Sequence, residues 1–78
     1  MAKKEVAFAR SCRALGRVIR QRRRQISYTQ TQLADRVKIT QESISAIELG
    51  RGWGSMPTFI LIAKALGLLL SELFVAAE

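Results

Sequence analysis

Apolar residues recur along this chain with a helical period almost from end to end, and no stretch alternates as a half-buried strand would. Phe8, Cys12, Leu15, Ile19 and Ile26 follow one another at spacings of three, four and seven. That spacing stacks them on one face of a first helix over 6–25. Arg10, Arg13, Arg17, Arg20 and Arg24 keep the same period on roughly the opposite face. Gly16 lies inside this helix and is expected to weaken it by about 1 kcal/mol relative to alanine. A second helix begins after Thr29, where Thr29 and Gln32 have the spacing of a capping box and Tyr28 and Leu33 that of a hydrophobic staple. It ends near Val37. A third starts after Thr40, another good N-cap, and runs to about Leu49, with Gly50 as its stop signal. Residues 51–54 read as a loop. Ser55 caps a fourth helix, which tolerates Pro57 in its first turn and ends at Leu66, capped by Gly67. A short fifth helix over 70–76 follows.

Five short helices in 78 residues make one domain, expected to span 1–78. Its bulk chemistry then narrows the function. With 13 basic and 6 acidic side chains the net charge is +7, which favours polyanions: nucleic acid, an anionic membrane or an acidic protein. Apolar residues make up 49% of the chain, too many for a disordered basic tail. The single cysteine, Cys12, forms no intrachain disulfide and reads as a core residue, and the absence of histidine excludes zinc-finger ligation. No metal, no cofactor and no catalytic activity are expected, because no nucleophile is placed beside a base. The first residues are charged throughout and no apolar run is long enough to span a bilayer, so a reduced, cytoplasmic setting without membrane association is expected.

The segment 29–50, TQTQLADRVKITQESISAIELG, carries most of the information. Leu33, Val37, Ile39, Ile44 and Ile47 supply buried contacts, and Ala34 is small enough to let another helix approach. Only about three residues, Lys38 to Thr40, join the two helices. That length forces a steep crossing. The frame resembles the helix-turn-helix of phage repressors and of the Cro/C1 and Xre-type regulators. The resemblance rests on Gln30, Leu33, Ala34, Ile39, Thr40, Ile44, Ser45, Ile47, Glu48 and Gly50. It continues through Thr58, Ile62, Ala63, Lys64, Ala65, Leu66, Gly67, Glu72, Leu73 and Phe74, and reaches back to Leu15, Ile19 and Arg23. It covers about 60 residues.

The resemblance implies an all-α, compact five-helix, lambda-repressor-like DNA-binding domain with its third helix in the major groove. It implies an ion pair between Arg23 and Glu48. Independently, Arg23 falls beside the apolar stripe, where an arginine needs an acidic partner; the alternative leaves both exposed. Three positions depart from the pattern. Lys38 and Ser27 stand where glycine is common, and Arg22 where an aliphatic residue is frequent. A left-handed lysine costs roughly 1–2 kcal/mol. The stem of Arg22 is expected to pack while its charge snorkels.

Base contacts are expected from Gln41, Glu42, Ser43, Ser45 and Ala46. Gln41 suits the N6 and N7 edge of adenine, Glu42 the amino group of cytosine, and Ala46 a thymine methyl. The alternative for each is a solvated helix surface. Phosphate contacts are expected from Thr29, Gln30, Thr40 and Arg51, although Thr29 and Thr40 are also explained as plain caps. Trp53 either covers the core, meets a second subunit or stacks near the DNA backbone. The arginine stripe reads as a solvated face, or else as a docking strip for an acidic partner or flanking phosphates; an amphipathic membrane helix is the least economical alternative. A domain this small cannot bury Leu68, Leu69, Leu70, Phe74 and Val75 together. Residues 67–78 are therefore expected to form a homodimer interface that includes Leu69, Leu70, Phe74 and Val75, with Trp53 a candidate beside them.

The functional expectation is a dimeric regulator of transcription that binds double-stranded DNA at a palindromic operator, in a bacterial or phage setting on the nucleoid. The alternatives are an antitoxin that binds a toxin or other acidic protein and autoregulates, and a coactivator-type bridge. Residues 1–14 would form an N-terminal helical extension outside the helix-turn-helix at 29–50.

Overall fold

The computed structural model describes residues 3–51 and 56–76, with side chains for 12–51, 57–69, 71–73 and 75. Among the described residues five helices follow one another: α1 (Lys3–Gln25), α2 (Gln30–Val37), α3 (Gln41–Glu48), α4 (Met56–Ala65) and α5 (Leu70–Ala76). There is no strand among the described residues. α1 starts three residues before the apolar period does. Lys3, Lys4 and Glu5 are good helix formers that need no core contact, so periodicity cannot mark the start. α3 and α4 each end one residue earlier than expected, because Leu49 serves as the C-cap of α3 and Leu66 lies in the turn after α4.

The core is where the five helices converge. Ile19 of α1, Leu33 of α2, Ile44 of α3, Ile62 of α4, Leu66 just after it and Leu73 of α5 are fully buried. Each such side chain contributes about 1.5–3 kcal/mol when removed from water. α1 packs on α3 and α5, α2 on α3 and α4, and α4 on α5. The long α1 thus backs α3, while α4 backs α2. Tyr28 and Ile39 pack on the core from either end of α2, with Val18, Ile26 and Leu68 around its rim. Cys12 is half-buried on α1 with a free thiol.

Gly16 has a different role from the weak point expected of it. A Cβ built there would lie 2.5 Å from the carbonyl oxygen of Glu48, 2.8 Å from its carbon, and against the oxygen of Ile47. The C-terminal end of α3 therefore abuts the backbone of α1, and only glycine leaves room. Arg22 also does more than snorkel: its Nε donates to the Leu66 carbonyl at 3.0 Å, satisfying an oxygen left unpaired at the end of α4. Ser27 and Lys38 both adopt positive φ, 61° and 66°, in place of the expected glycines. Ser27 turns the chain out of α1 and Lys38 out of α2.

Candidate nucleic-acid interface

Local chemistry sets the α2–α3 unit residue by residue. Thr29 is extended at φ −80°, ψ 163°; its Oγ1 accepts from the Gln32 amide at 3.0 Å while Gln32 Oε1 accepts from the Thr29 amide at 2.8 Å. Both halves of the capping box are present. Lys38 then takes a left-handed conformation, and the amides of Lys38 and Ile39 both reach back to the Ala34 carbonyl. Thr40, extended at φ −80°, ψ 155°, caps α3 by accepting from the Ser43 amide at 3.1 Å. Two caps with one left-handed residue between them fix the crossing of the helices.

Within α3, Ile44, Ile47 and Glu48 face inward and are buried. At 3.6 residues per turn the opposite face carries Glu42, Ala46 and Leu49 along its centre, with Gln41 and Ser45 on the shoulder beside Glu48. Glu42 is exposed, and Gln41, Ser45 and Ala46 are partly so. Ser43 sits on the other shoulder, where its hydroxyl is 2.8 Å from that of Thr40. The four polar candidates and Ala46 thus share one helix: Glu42 and Ala46 lie on the outward line, Ser45 beside it, and Gln41 and exposed Ser43 on opposite shoulders.

A connected set of hydrogen bonds ties this surface to the core. Arg23 donates to Glu48 in a bidentate manner, Nε to Oε2 at 2.6 Å and Nη2 to Oε1 at 3.0 Å. Arg23 and Glu48 are only 8% and 5% exposed. Nη1 of Arg23 also donates to the Tyr28 carbonyl at 2.7 Å, fastening the α1–α2 connection. Glu48 Oε1 accepts a second bond, from Gln30 Nε2 at 3.1 Å, and Gln30 Oε1 accepts from Gln41 Nε2 at 2.6 Å. The hydrogen bond to Glu48 raises the Arg23 guanidinium above its ordinary value, against a smaller opposing effect of burial. A raised value lends stability at every pH below the ordinary one, and that stability is lost only as pH climbs past the raised one. The guanidinium therefore stays charged throughout the neutral range.

The structure assigns Gln30 a use that spacing did not disclose. Its side chain bridges Gln41 and Glu48, and what it offers an anion directly is its backbone amide at the start of α2. That end carries no acidic residue in its first turn, whereas α3 has Glu42 in its own. The N-terminus of α2 is thus the more favourable of the two for a phosphate. Thr29 and Thr40 serve as caps, and Arg51 is exposed just after Gly50. Leu69 and Val75 are 68% and 66% exposed near and on α5. Trp53 and the side chains of Leu70 and Phe74 lie outside the described residues. Leu49, expected only as the end of α3, is 51% exposed and stands at i+7 from Glu42, a relation already present in the spacing.

Comparison with known proteins bears on the fold and the family. Residues 19–73 match the model of the helix-turn-helix family HTH_3. The chain belongs to the Cro/C1-type helix-turn-helix family. A protein of Methanothermobacter thermautotrophicus described as an uncharacterized HTH-type transcriptional regulator is 42% identical over 50 residues, 64% of this chain and 72% of the relative. Two crystal structures of the clp gene regulator ClgR from Corynebacterium glutamicum superpose with TM-scores of 0.83 and 0.82 at 25% identity. Each alignment covers 86% of this chain, and 71% and 86% of the respective ClgR chains. The family is one of DNA-binding transcriptional regulators, which are generally not enzymes. The family match starts at Ile19, so Arg10, Arg13 and Arg17 stand on a part of α1 that precedes it. Among the described residues, no helix is long and apolar enough to cross a membrane.

Proposed function

We propose that the protein regulates transcription from the cytoplasm as a homodimer, placing α3 of each subunit in the major groove of a palindromic operator. The observation that carries this reading is the bracing of Gln41 by Gln30, and through Glu48 by the buried Arg23. A side chain meant only for solvent gains nothing from such support. Gln41 uses one of its two amide hydrogens on Gln30. The second hydrogen and its oxygen stay available for N7 and the N6 amino group of adenine, so bracing and bidentate reading are compatible. Glu42, Ser45 and Ala46 contact neighbouring bases, and Ser43 reaches the groove from the far shoulder. The amides at the start of α2, the hydroxyls of Thr29 and Thr40, and Arg51 hold the flanking phosphates. Leu69, Leu70, Phe74 and Val75, with Trp53 nearby, pair the subunits. The paired α3 helices then stand about one helical turn of DNA apart, roughly 34–36 Å.

Selection of binding sites from random duplexes at two salt concentrations tests the reading. Gln41→Ala is expected to weaken binding to the selected site by about 1–3 kcal/mol and to relax one base position. An unchanged footprint and base preference would remove Gln41 from its assigned role. Arg51→Ala is expected to weaken binding to all sequences alike and to flatten the plot of log K against log salt by about one unit. A second reading, an antitoxin or bridging protein with an acidic partner, is favoured by one observation. Arg17, Arg20 and Arg24 form an exposed row with no acidic partner among the described residues. Co-purification of a single acidic chain that competes with duplex DNA would favour that reading.

A further inference from the structure

Leu49 occupies an unexpected place for an exposed leucine. Single exposed leucines are ordinary on protein surfaces, but this one continues the line of Glu42 and Ala46, at i+7 and i+3, down the middle of the outward face of α3. It is also held firmly. Its backbone is still helical, at φ −85° and ψ −4°, and its amide donates to the Ser45 carbonyl at 3.1 Å. The following residue, Gly50, turns left-handed at φ 71° and lies so close to Arg13 of α1 that a Cβ there would fall 2.6 Å from Arg13 Cγ. The end of α3 is thus clamped between its own last turn and α1, and the leucine projects from a fixed point. A helix C-terminus facing solvent or phosphate is best served by lysine or arginine, which complement the helix dipole. The last turn of α3 itself carries no basic residue, and the next along the chain, Arg51, follows only after Gly50 has turned the backbone. The outward face is consequently divided. Its N-terminal half is polar, with Gln41, Glu42 and Ser45, and its C-terminal half is apolar, with Ala46 and Leu49.

We propose that Leu49 reads the C5-methyl group of a thymine in the major groove. The methyl is the one apolar feature that base pairs display there, and an aliphatic side chain is the matching contact. The inference rests on the reading of α3 as the base-contacting helix and adds a second point of recognition to it. Leu49 lies eight residues beyond Gln41, about 12 Å along the helix at 1.5 Å per residue. With bases stacked about 3.4 Å apart, the thymine lies three to four base pairs from the pair met by Gln41. Leu49 excludes cytosine at that position by leaving its amino group without a partner, and discriminates against uracil by the missing methyl alone.

The test uses the full chain and the duplex selected from random sequence, with each thymine replaced singly by uracil. Wild type is expected to lose about three- to tenfold in affinity at one or two thymines, the effect of one buried methyl group. Those thymines should lie three to four pairs from the base that Gln41→Ala relaxes. Leu49→Ala and Leu49→Gln, two exposed-site variants whose melting curves are recorded in parallel, are expected to bind the thymine and uracil duplexes equally. Gln41→Ala is expected to keep the discrimination. Equal binding of thymine and uracil duplexes by wild type, or discrimination that survives both Leu49 variants, overturns the assignment while leaving α3 as the reading helix. Failure to select any preferred sequence overturns both.

Discussion

Glu48→Ala is expected to destabilise the protein by about 3–5 kcal/mol, because it leaves the buried Arg23 guanidinium without its counter-charge. A domain of this length has about 4–12 kcal/mol in total, so the variant should melt more than about 10 °C below wild type. The double variant Arg23→Met, Glu48→Met should recover most of that loss, since apolar side chains of similar volume replace a buried pair at little cost. Recovery should be incomplete. The Tyr28 carbonyl and the Gln30 amide each lose a hydrogen bond in the double variant, at about 1 kcal/mol apiece. Thermal and urea melts of the three proteins measure this. A Glu48→Ala transition within a degree or two of wild type would show that the pair contributes no stability. The same carboxylate holds Gln30, and Gln30 holds Gln41, so Glu48 is not only a structural residue. On the proposed assignment of Gln41 to a base, the alanine variant should therefore bind DNA below its melting transition with a weakened preference at that base.

Gly16→Ala is the second large effect, and its sign is the informative part. On an open helix the change is worth about 1 kcal/mol of added stability. Here the new methyl would meet the last carbonyls of α3 at distances well inside the roughly 3.3–3.6 Å at which a carbon settles against a carbonyl oxygen. Those atoms are backbone and cannot swing aside. Either α1 lifts off α3 or α3 shifts along its axis, and the expected loss is about 1–3 kcal/mol. Because Arg23 sits two turns further along α1, the displacement also stretches its bonds to Glu48. A shift in the urea midpoint toward higher stability would mean that the helices separate without cost, and would return Gly16 to the part of a merely weak helix position.

Much of this architecture is legible in the residue order because it is decided locally. The capping box at Thr29, the cap at Thr40, the stop at Gly50 and the start of α5 at Leu70 are settled by atoms within a few residues of each other. Periodicity of the apolar residues then identifies the buried faces, and the core contains Leu15, Ile19, Leu33, Ile44 and Ile47 as that periodicity requires. That Glu42, Ser43, Ser45 and Ala46 point away from the core, with Gln41 at its margin, was legible for the same reason, as the complement of the buried face of α3. The role of Gly16 was not, because the crowding comes from a helix thirty residues away. The bridging by Gln30 was missed for a related reason: its partners, Gln41 and Glu48, lie eleven and eighteen residues further along the chain.

Residue order alone, then, determined which segments are helical, where the capped ones begin, which face of each is apolar, and that the whole is strongly basic. These are consequences of short-range sterics, hydrogen bonding and periodicity. Tertiary structure decided what those elements do to one another. It decided that α1 passes close enough to α3 to demand glycine at position 16, that Arg22 satisfies the end of α4, and that a glutamine at the start of α2 is tied to a buried charge pair. Such contacts depend on distances between helices remote in sequence, and those distances are fixed only when all five helices share a core.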